Sequence, residues 1–495
     1  MKSDKKKIIC TISVMMIYLI FCIIMAYHHE YWRDEAQAWC LTRDNSFWGV
    51  WQHLKGEGHP ILWFAVLFPF AHLEMPIETL SVICIVFMEV AAYLLFMYAP
   101  FPIWMKLLLM FSSVMLYYNT TICRIYSLVI LLLFAIAVCY KKRMEKPWRY
   151  MILVALLLQS HIIMAGLAIM LWFCYIVEFL RKKSYIRKKG KWLAMLLPLV
   201  SIMFLFIELS GGGQMSYAEL IKNICSVPLD ALQKFMEQFS FGVGETIGHA
   251  LSAGQFYVIL CIFFLLAIVH LKFYWREILI ISGGLGGQIF IAAFIFGFIR
   301  QREIMLIATM IFGYWICSVR KQEVIGIQEK DRQLIFQQIL EKIAVVILAG
   351  MLLLSFSPTK NAICEDYKRP FSGAKEMAEY IVKNLPADAV IVSNASGNCS
   401  AISGYEPEIQ LWDVTTKKYY SYCDLLHPEM TGRPSYIDVC KTIQNKFGTT
   451  EHIYFLIDKA LITPDTKGEE LELLFDEEET VIADESFAIY KFREK

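Results

Sequence analysis

Long apolar runs separated by short charged stretches organise this chain of 495 residues. Residues 8–27 are almost wholly apolar, enough for about 30 Å of helix, and follow the basic MKSDKKK. Tyr27, His28 and His29 stand where a cleaved signal would place small residues, so the run reads as a retained anchor with a cytoplasmic N-terminus. Apolar runs at 78–98, 103–118 and 125–140 lead to the basic loop KKRMEKPWR at 141–149. Between the first two lies 61–73, about 13 residues long and interrupted by Pro69. It is too short to cross, and is expected to lie along the interface. Counting it as a span would put the five basic residues of 141–149 outside, against the positive-inside bias.

The stretch 150–180 runs from that basic loop to another, RKKSYIRKKGK, and so must cross twice, turning at Gln159, Ser160 and His161. Further spans are expected at 192–209, 255–271, 277–298, 303–319 and 342–356, which makes about eleven. The segment 210–254 becomes a long outer loop opening on Gly211, Gly212 and Gly213, and 320–341 a charged cytoplasmic connector. From about residue 357 the pattern changes. A helix capped by Ser372 and ending at Asn384, a strand at Ala389 to Ser393, a helix from Tyr436 to Phe447, and strands at His452 to Ile457 and Phe487 to Phe492 describe a small α/β domain. The expected fold is an α-helical polytopic membrane domain over 1–356 with interfacial helices in its first outer loop. A C-terminal extracytoplasmic α/β accessory domain over 357–495 follows.

Composition strengthens this reading: 57% hydrophobic and 19% charged residues exclude an ordinary soluble protein. The net charge of +1 conceals an asymmetry, because residues 357–495 hold about 24 acids against about 15 bases, roughly −9, leaving roughly +10 upstream. Most of the 14 cysteines sit singly in apolar runs, where a thiol behaves as a small hydrophobe. Cys364, Cys399, Cys423 and Cys440 share the tail, and their spacing specifies no pairing. Nothing basic or aromatic in the pattern suggests a nucleic-acid partner.

Candidate chemistry concentrates behind the first span, in YWRDEAQAWCLTRDNSFWGVWQHLKGEGHP (31–60). Phe47, Val50, Trp51 and Leu54 share a helical face beside Trp48, the pattern of an interfacial helix. Asp34 and Glu35 lie between that helix and the first span, which suggests a proton acceptor at the rim of the bilayer. The topology brings His59, Arg124, Tyr126, His161, and the turn of Arg300, Gln301 and Arg302 to the same side. Any one of these cations could simply snorkel toward headgroup phosphates, but as a set they oppose the insertion bias, and an anionic ligand such as a phosphate would account for them. Lys222, in the amphipathic stretch 217–239, is a further candidate contact in a loop that reads as a lid. Glu89, inside a span, reads as a structural hydrogen-bonding group.

An Asp-Glu pair after the first span, interfacial helices, the turn Gly58, His59, Pro60, and an Arg at the next outer hairpin together resemble the GT-C superfamily of membrane glycosyltransferases. The similarity is to the branch of protein O-mannosyltransferases and aminoarabinose transferases, and covers roughly residues 1–356. The resemblance implies an inverting transfer of a sugar from a polyprenyl-phosphate donor to a hydroxyl of a protein, glycan or lipid at the outer face of a bacterial plasma membrane. Asp34 would be the base, with Glu35 beside it, and Arg124, Arg300 and Arg302 would face the leaving phosphate, with His59, Tyr126, His161 and Lys222 binding substrate. Some relatives carry an acid beside the Arg of the second outer loop, or a metal-holding acidic pair; NTTICRIYS (119–127) has neither, so no cofactor is expected and a divalent metal stays an open alternative that no paired-acid motif supports. Pro60 is followed by Ile61 where relatives often have a second Pro. A transporter or flippase of lipid-linked sugars would favour ionisable residues near the midplane and inverted repeats. A non-catalytic envelope scaffold would make Asp34, Arg124 and Arg300 individually replaceable.

Overall fold

A computed structural model describes residues 2–57, 59–181, 190–209, 230–231, 233–238, 241, 253–295, 297, 300–325, 331–393, 396–426, 435–448, 451–459 and 471–493. Side chains are described for these except residues 2–7, 56, 253–273, 300, 321–341 and 344. In chain order the helices are α1 (Lys2–His28), α2 (Arg33–Arg43), α3 (Phe47–Glu57), α4 (Leu62–Ala71), α5 (Thr79–Tyr98), α6 (Ile103–Met110) and α7 (Ser113–Leu116). They continue as α8 (Tyr126–Tyr140), α9 (Pro147–Leu158), α10 (Ala165–Arg181), α11 (Leu196–Leu209), α12 (Ala253–Phe294), α13 (Arg300–Ile325) and α14 (Asp331–Lys368). The tail adds α15 (Ala374–Asn384), β1 (Val390–Ser393), α16 (Ser396–Tyr405), β2 (Leu411–Asp413), β3 (Lys418–Tyr420), α17 (Tyr436–Phe447), β4 (Ile453–Asp458), β5 (Leu471–Asp476) and β6 (Phe487–Phe492).

Six described helical stretches are long and apolar enough to cross a bilayer: Ile8–His28, Thr79–Tyr98, Ile162–Arg181, Tyr274–Phe294, Gln301–Arg320 and Val345–Lys368. Four shorter apolar helices accompany them. One of these, α4, has ten residues and so reaches only about 15 Å. The expected span at 103–118 is not one helix. Ser112 takes an extended conformation (φ −82°, ψ 168°) and its hydroxyl donates to the Leu109 carbonyl at 2.7 Å, a local bond that competes with the helical ladder and divides α6 from α7. The runs expected at 255–271 and 277–298 are two helices within α12, divided by non-helical backbone at Tyr274 (φ −121°, ψ 21°). The crossing expected to turn at 159–161 does so, between α9 and a 3-10 turn at Ile162–Met164 that His161 caps.

The described residues pack as two compact units. The first comprises 1–24, 83–121 and 125–361. Within it α10 meets α12 through glycine: a Cβ built on Gly287 would stand 2.9 Å from the Gly166 Cα, and one on Gly166 would stand 2.5 Å from the Gly283 carbonyl. The spacing of Gly283 and Gly287 is the small-residue pattern that lets membrane helices approach closely. Gln288 then donates to Thr309 at 2.5 Å and ties α12 to α13. Buried charge gathers at the loop after α8. Arg143 donates from Nη2 and Nε to Glu178 Oε2 at 2.8 and 3.0 Å, Arg276 donates to the same oxygen at 2.8 Å, and the Tyr140 hydroxyl donates to Glu277 at 2.8 Å. Glu89 does not match its expected role: its Oε2 is buried with no hydrogen-bond partner among the described residues.

The second unit comprises 25–82, 122–124 and 362–495. Its sheet has the order β3-β2-β1-β4-β6-β5, with β1 parallel to β2 and β4 and the remaining pairs antiparallel. Val392, Trp412, Phe455, Ile457 and Tyr490 form its core with Val439 and Ile443 of α17. Local hydrogen bonds mark the ends of α15, whose N-cap is Gly373, and of α17. Ser372 accepts from the Ala374 amide at 3.2 Å, Ser435 accepts from the Asp438 amide at 3.3 Å, and Gly448 ends α17 at φ +69°, a conformation that glycine adopts without penalty. Against α16 packs α2, because Gly404 has no side chain: a Cβ there would lie 3.1 Å from that of Ala36. No described cysteine, the four of the tail included, is joined in a disulfide.

Candidate active site

Helix α2 builds the site. Trp32, in extended conformation, precedes its first turn, and that turn carries Asp34 and Glu35. Acids are stabilised there by the unsatisfied amides and positive dipole end of the helix. Adjacent carboxylates on a helix point about 100° apart. Here they meet different surroundings.

Asp34 is 35% exposed and its Oδ2 lies 3.0 Å from Nη1 of Arg124, a guanidinium only 10% exposed. Glu35 is buried, and both its oxygens are engaged. Oε1 accepts from the backbone amide of Cys123 in a very close contact, and Oε2 accepts from the Trp32 amide at 3.2 Å. The same carboxylate faces Nε2 of His29 at 3.1 Å, while Nδ1 of that ring faces Asp366 Oδ2 at 3.2 Å. Burial alone would discharge the imidazole, but the charges of Glu35 and Asp366 outweigh it and raise His29 to about 10.

Around this pair α2 is fastened to the tail. Arg33 reaches Asp484 at 2.9 Å and Glu485 at 3.2 Å, and its backbone amide donates to Glu485 at 3.0 Å. Burial pushes the Glu485 carboxyl up to about 8, against the pull of Arg33 and of the Ser372 hydroxyl. One turn along, Gln37 donates to Glu57 and to the Cys423 carbonyl, both at 2.7 Å, and accepts from the Cys423 amide at 2.9 Å. Burial raises Glu57 to about 7. At the far end of α2, Arg43 donates to the Ser403 carbonyl at 2.8 Å, and Asp44 accepts from the Ser421 hydroxyl. Beside Asp44 a cavity of about 220 Å³ is lined by Thr416, Lys418, Tyr419, Tyr422 and Asp424 among others.

The sequence candidates separate between the units. Asp34, Glu35, His59 and Arg124 belong to the second, and Tyr126, His161 and Arg302 to the first. Tyr126 and His161 meet each other. Their rings stack at 5.2 Å, and His161 Nδ1 accepts from the Ile163 amide at 3.1 Å, which leaves Nε2 to donate to the Tyr126 hydroxyl at 3.2 Å. Arg302 donates to the Gly297 carbonyl at 2.9 Å and Gln301 to the Tyr118 carbonyl at 2.8 Å. Arg300 is the first residue of α13, and its side chain lies outside the described residues. So do Lys222 and the loop expected to act as a lid, apart from 230–231, 233–238 and 241. Among the described residues no group of three or more His, Cys, Asp or Glu side chains is arranged to hold a metal ion.

The sequence reading passed over Arg33, Gln37, Glu57, Asp366 and Glu485. Arg33 and Gln37 sit four apart on one helical face, a legible signal that both point the same way. Asp366 and Glu485 offered none, since their partners lie hundreds of residues upstream.

No known family profile matches this chain, and no curated protein matches it in sequence. Among solved structures it is similar to the crystal structure of ArnT from Cupriavidus metallidurans bound to undecaprenyl phosphate, at 9% identity and a TM-score of 0.49 over 98% of each chain.

Proposed function

We propose that this chain is an inverting membrane glycosyltransferase that moves a sugar from a polyprenyl-phosphate donor to a hydroxyl acceptor at the outer face of a bacterial plasma membrane. The observation that carries the reading is the Asp34–Arg124 pair. It joins a half-exposed carboxylate of the first loop to a nearly buried guanidinium some ninety residues later. These are the two groups that such a transfer needs, and the residue types and order that resemble GT-C enzymes.

In the reaction Asp34 takes the acceptor's proton as the hydroxyl oxygen bonds to the anomeric carbon. The bond from that carbon to the phosphate oxygen breaks on the opposite face, and the electron pair leaves with the phosphate. A positioned base contributes on the order of 10²- to 10⁴-fold, and a preorganised cation stabilises the departing charge. While Arg124 holds Asp34, one carboxylate oxygen is committed to the guanidinium at 3.0 Å. An incoming lipid phosphate competes for the guanidinium with a second anion, and so returns the carboxylate to the acceptor. Glu35 takes no proton in this scheme, because its oxygens are already committed to two backbone amides and His29.

The test compares membrane glycans and glycolipids by mass spectrometry in cells with the chain, without it, and with Asp34→Asn. The expected result is loss of one glycoconjugate in both the deletion and the variant, with the variant inserted normally. Wild-type levels of every glycoconjugate in Asp34→Asn cells would overturn the reading.

A further inference from the structure

Two carboxylates and one imidazole stand in line behind the proposed site: Asp366 in the last turns of α14, His29 directly after α1, and Glu35 in the first turn of α2. All are buried. We infer that this Asp366–His29–Glu35 relay is a positioning device, whose far end clips the amide of Cys123 and thereby sets Arg124 opposite Asp34. The inference rests on the function proposed above.

Glu35 is the mechanical centre. Its two neighbours in the geometry are the Trp32 amide, at the start of the turn that bears Asp34, and the Cys123 amide, one residue before Arg124. A single carboxylate therefore joins the two peptides on which the ion pair is mounted. Ser81 adds a second tether to this short segment, bonding the Tyr31 hydroxyl at 2.6 Å and the Cys123 thiol at 3.4 Å. A buried carboxylate keeps its charge only beside a cation or several donors. His29 supplies the cation.

The protonation state follows from geometry. Each ring nitrogen of His29 faces a carboxylate oxygen, at 3.1 and 3.2 Å, and a carboxylate only accepts, so both nitrogens must donate. That requires imidazolium. The other titratable groups around it are Glu30, next in the chain and itself raised by burial to about 6, and Tyr31, whose ring lies 6.2 Å away; the Phe371 ring closes the remaining side at 4.5 Å. Asp366 is thus the lever: it holds the proton on His29 from the side away from the site. Deprotonating His29 would leave two buried carboxylates facing a ring with only one hydrogen, and Glu35 would lose its grip on Cys123.

The experiment uses the full chain in nanodiscs and undecaprenyl phosphate as a probe of Arg124, read by intrinsic fluorescence, with ¹⁵N NMR of labelled histidine alongside. In the wild type, His29 stays doubly protonated at pH 8 and probe binding falls only at strongly alkaline pH. His29→Ala and Asp366→Asn should each weaken probe binding by about 3- to 10-fold, the size of one net hydrogen bond. Asp366→Asn should also move the alkaline loss of binding to lower pH, whereas Asp366→Glu should restore it. A residue that merely supported the fold would change the yield of folded protein and leave that pH limb in place. Where His29→Ala does not fold, the Asp366 pair decides. Neutral His29 at pH 7.5, or folded variants that bind with the wild-type affinity and pH limb, would overturn the relay. Full turnover by Asp34→Asn would sink the glycosyltransferase reading and leave the binding result standing.

Discussion

Both units bury ion clusters, and the contrast between them separates charge used for structure from charge offered to chemistry. In the first, Arg143 and Arg276 converge on one oxygen of Glu178, and none of the three side chains is more than 11% exposed. That cluster is closed: cations and carboxylate neutralise one another where α10, α12 and the loop after α8 meet. In the second, His29, Glu35 and Asp366 are as deeply buried, but the network ends in Asp34, which is 35% exposed. Rigid support reaches up to an accessible carboxylate and stops. Two adjacent acids, Asp34 and Glu35, fall on opposite sides of that line, so accessibility and committed hydrogen bonds distinguish them where residue type does not.

Four measurements would break or sharpen this contrast. Glu178→Ala leaves Arg143 and Arg276 buried and unpaired, which should cost about 3–5 kcal/mol and be read as a large fall in thermal stability with little folded protein recovered. A mild effect would mean that water reaches the cluster. Arg124→Ala should reduce the proposed sugar transfer by roughly 10²- to 10³-fold, the usual loss for a preorganised electrostatic contact, while thermal unfolding changes little. Equal losses of activity and stability would instead place Arg124 with the structural cations.

The third measurement is stability against pH. His29 is raised from an ordinary 6.5 to about 10, so its contribution is complete below pH 6.5 and is lost as pH rises through 10. Burial raises Glu57 to about 7, Glu485 to about 8 and Glu477 to about 9, so ionising these carboxyls opposes the folded state as pH rises from about 4.5. The native state then binds more protons than the unfolded one throughout, and the signs agree. The melting temperature should fall steadily from pH 6 to pH 9, and a rise over that range would contradict the buried network. The smallest effect is expected from Lys368→Ala, which removes an exposed pair with Glu365 and should change stability by under about 0.5 kcal/mol. A larger loss would show that exposure does not distinguish these ion pairs.

Much of this was legible in the linear pattern. Run length gave the membrane character, Ser372 marked the start of one tail helix, short β-prone apolar runs found β1 and β4, and alternation found β6. Strands β2 and β3, with three residues each, were too short for alternation to register, and α16 carries Ser and Gly where a helical stripe would show. Ser112 broke an apolar run that hydropathy reads as continuous. Asp34 and Arg124 could each be singled out, because each sits at a chemically unusual place beside an apolar segment, but only the fold joined them as a pair.

The sequence by itself determined which residues were expensive to place and therefore worth suspecting, because hydropathy and charge are local properties. Tertiary structure alone decided what each one meets. Contacts between Glu35 and Cys123, His29 and Asp366, or Arg33 and Glu485 join residues 88 to 452 positions apart. Burial and hydrogen-bond commitment are properties of that packing, and they turned the Asp-Glu dipeptide into one accessible acid and one fastener.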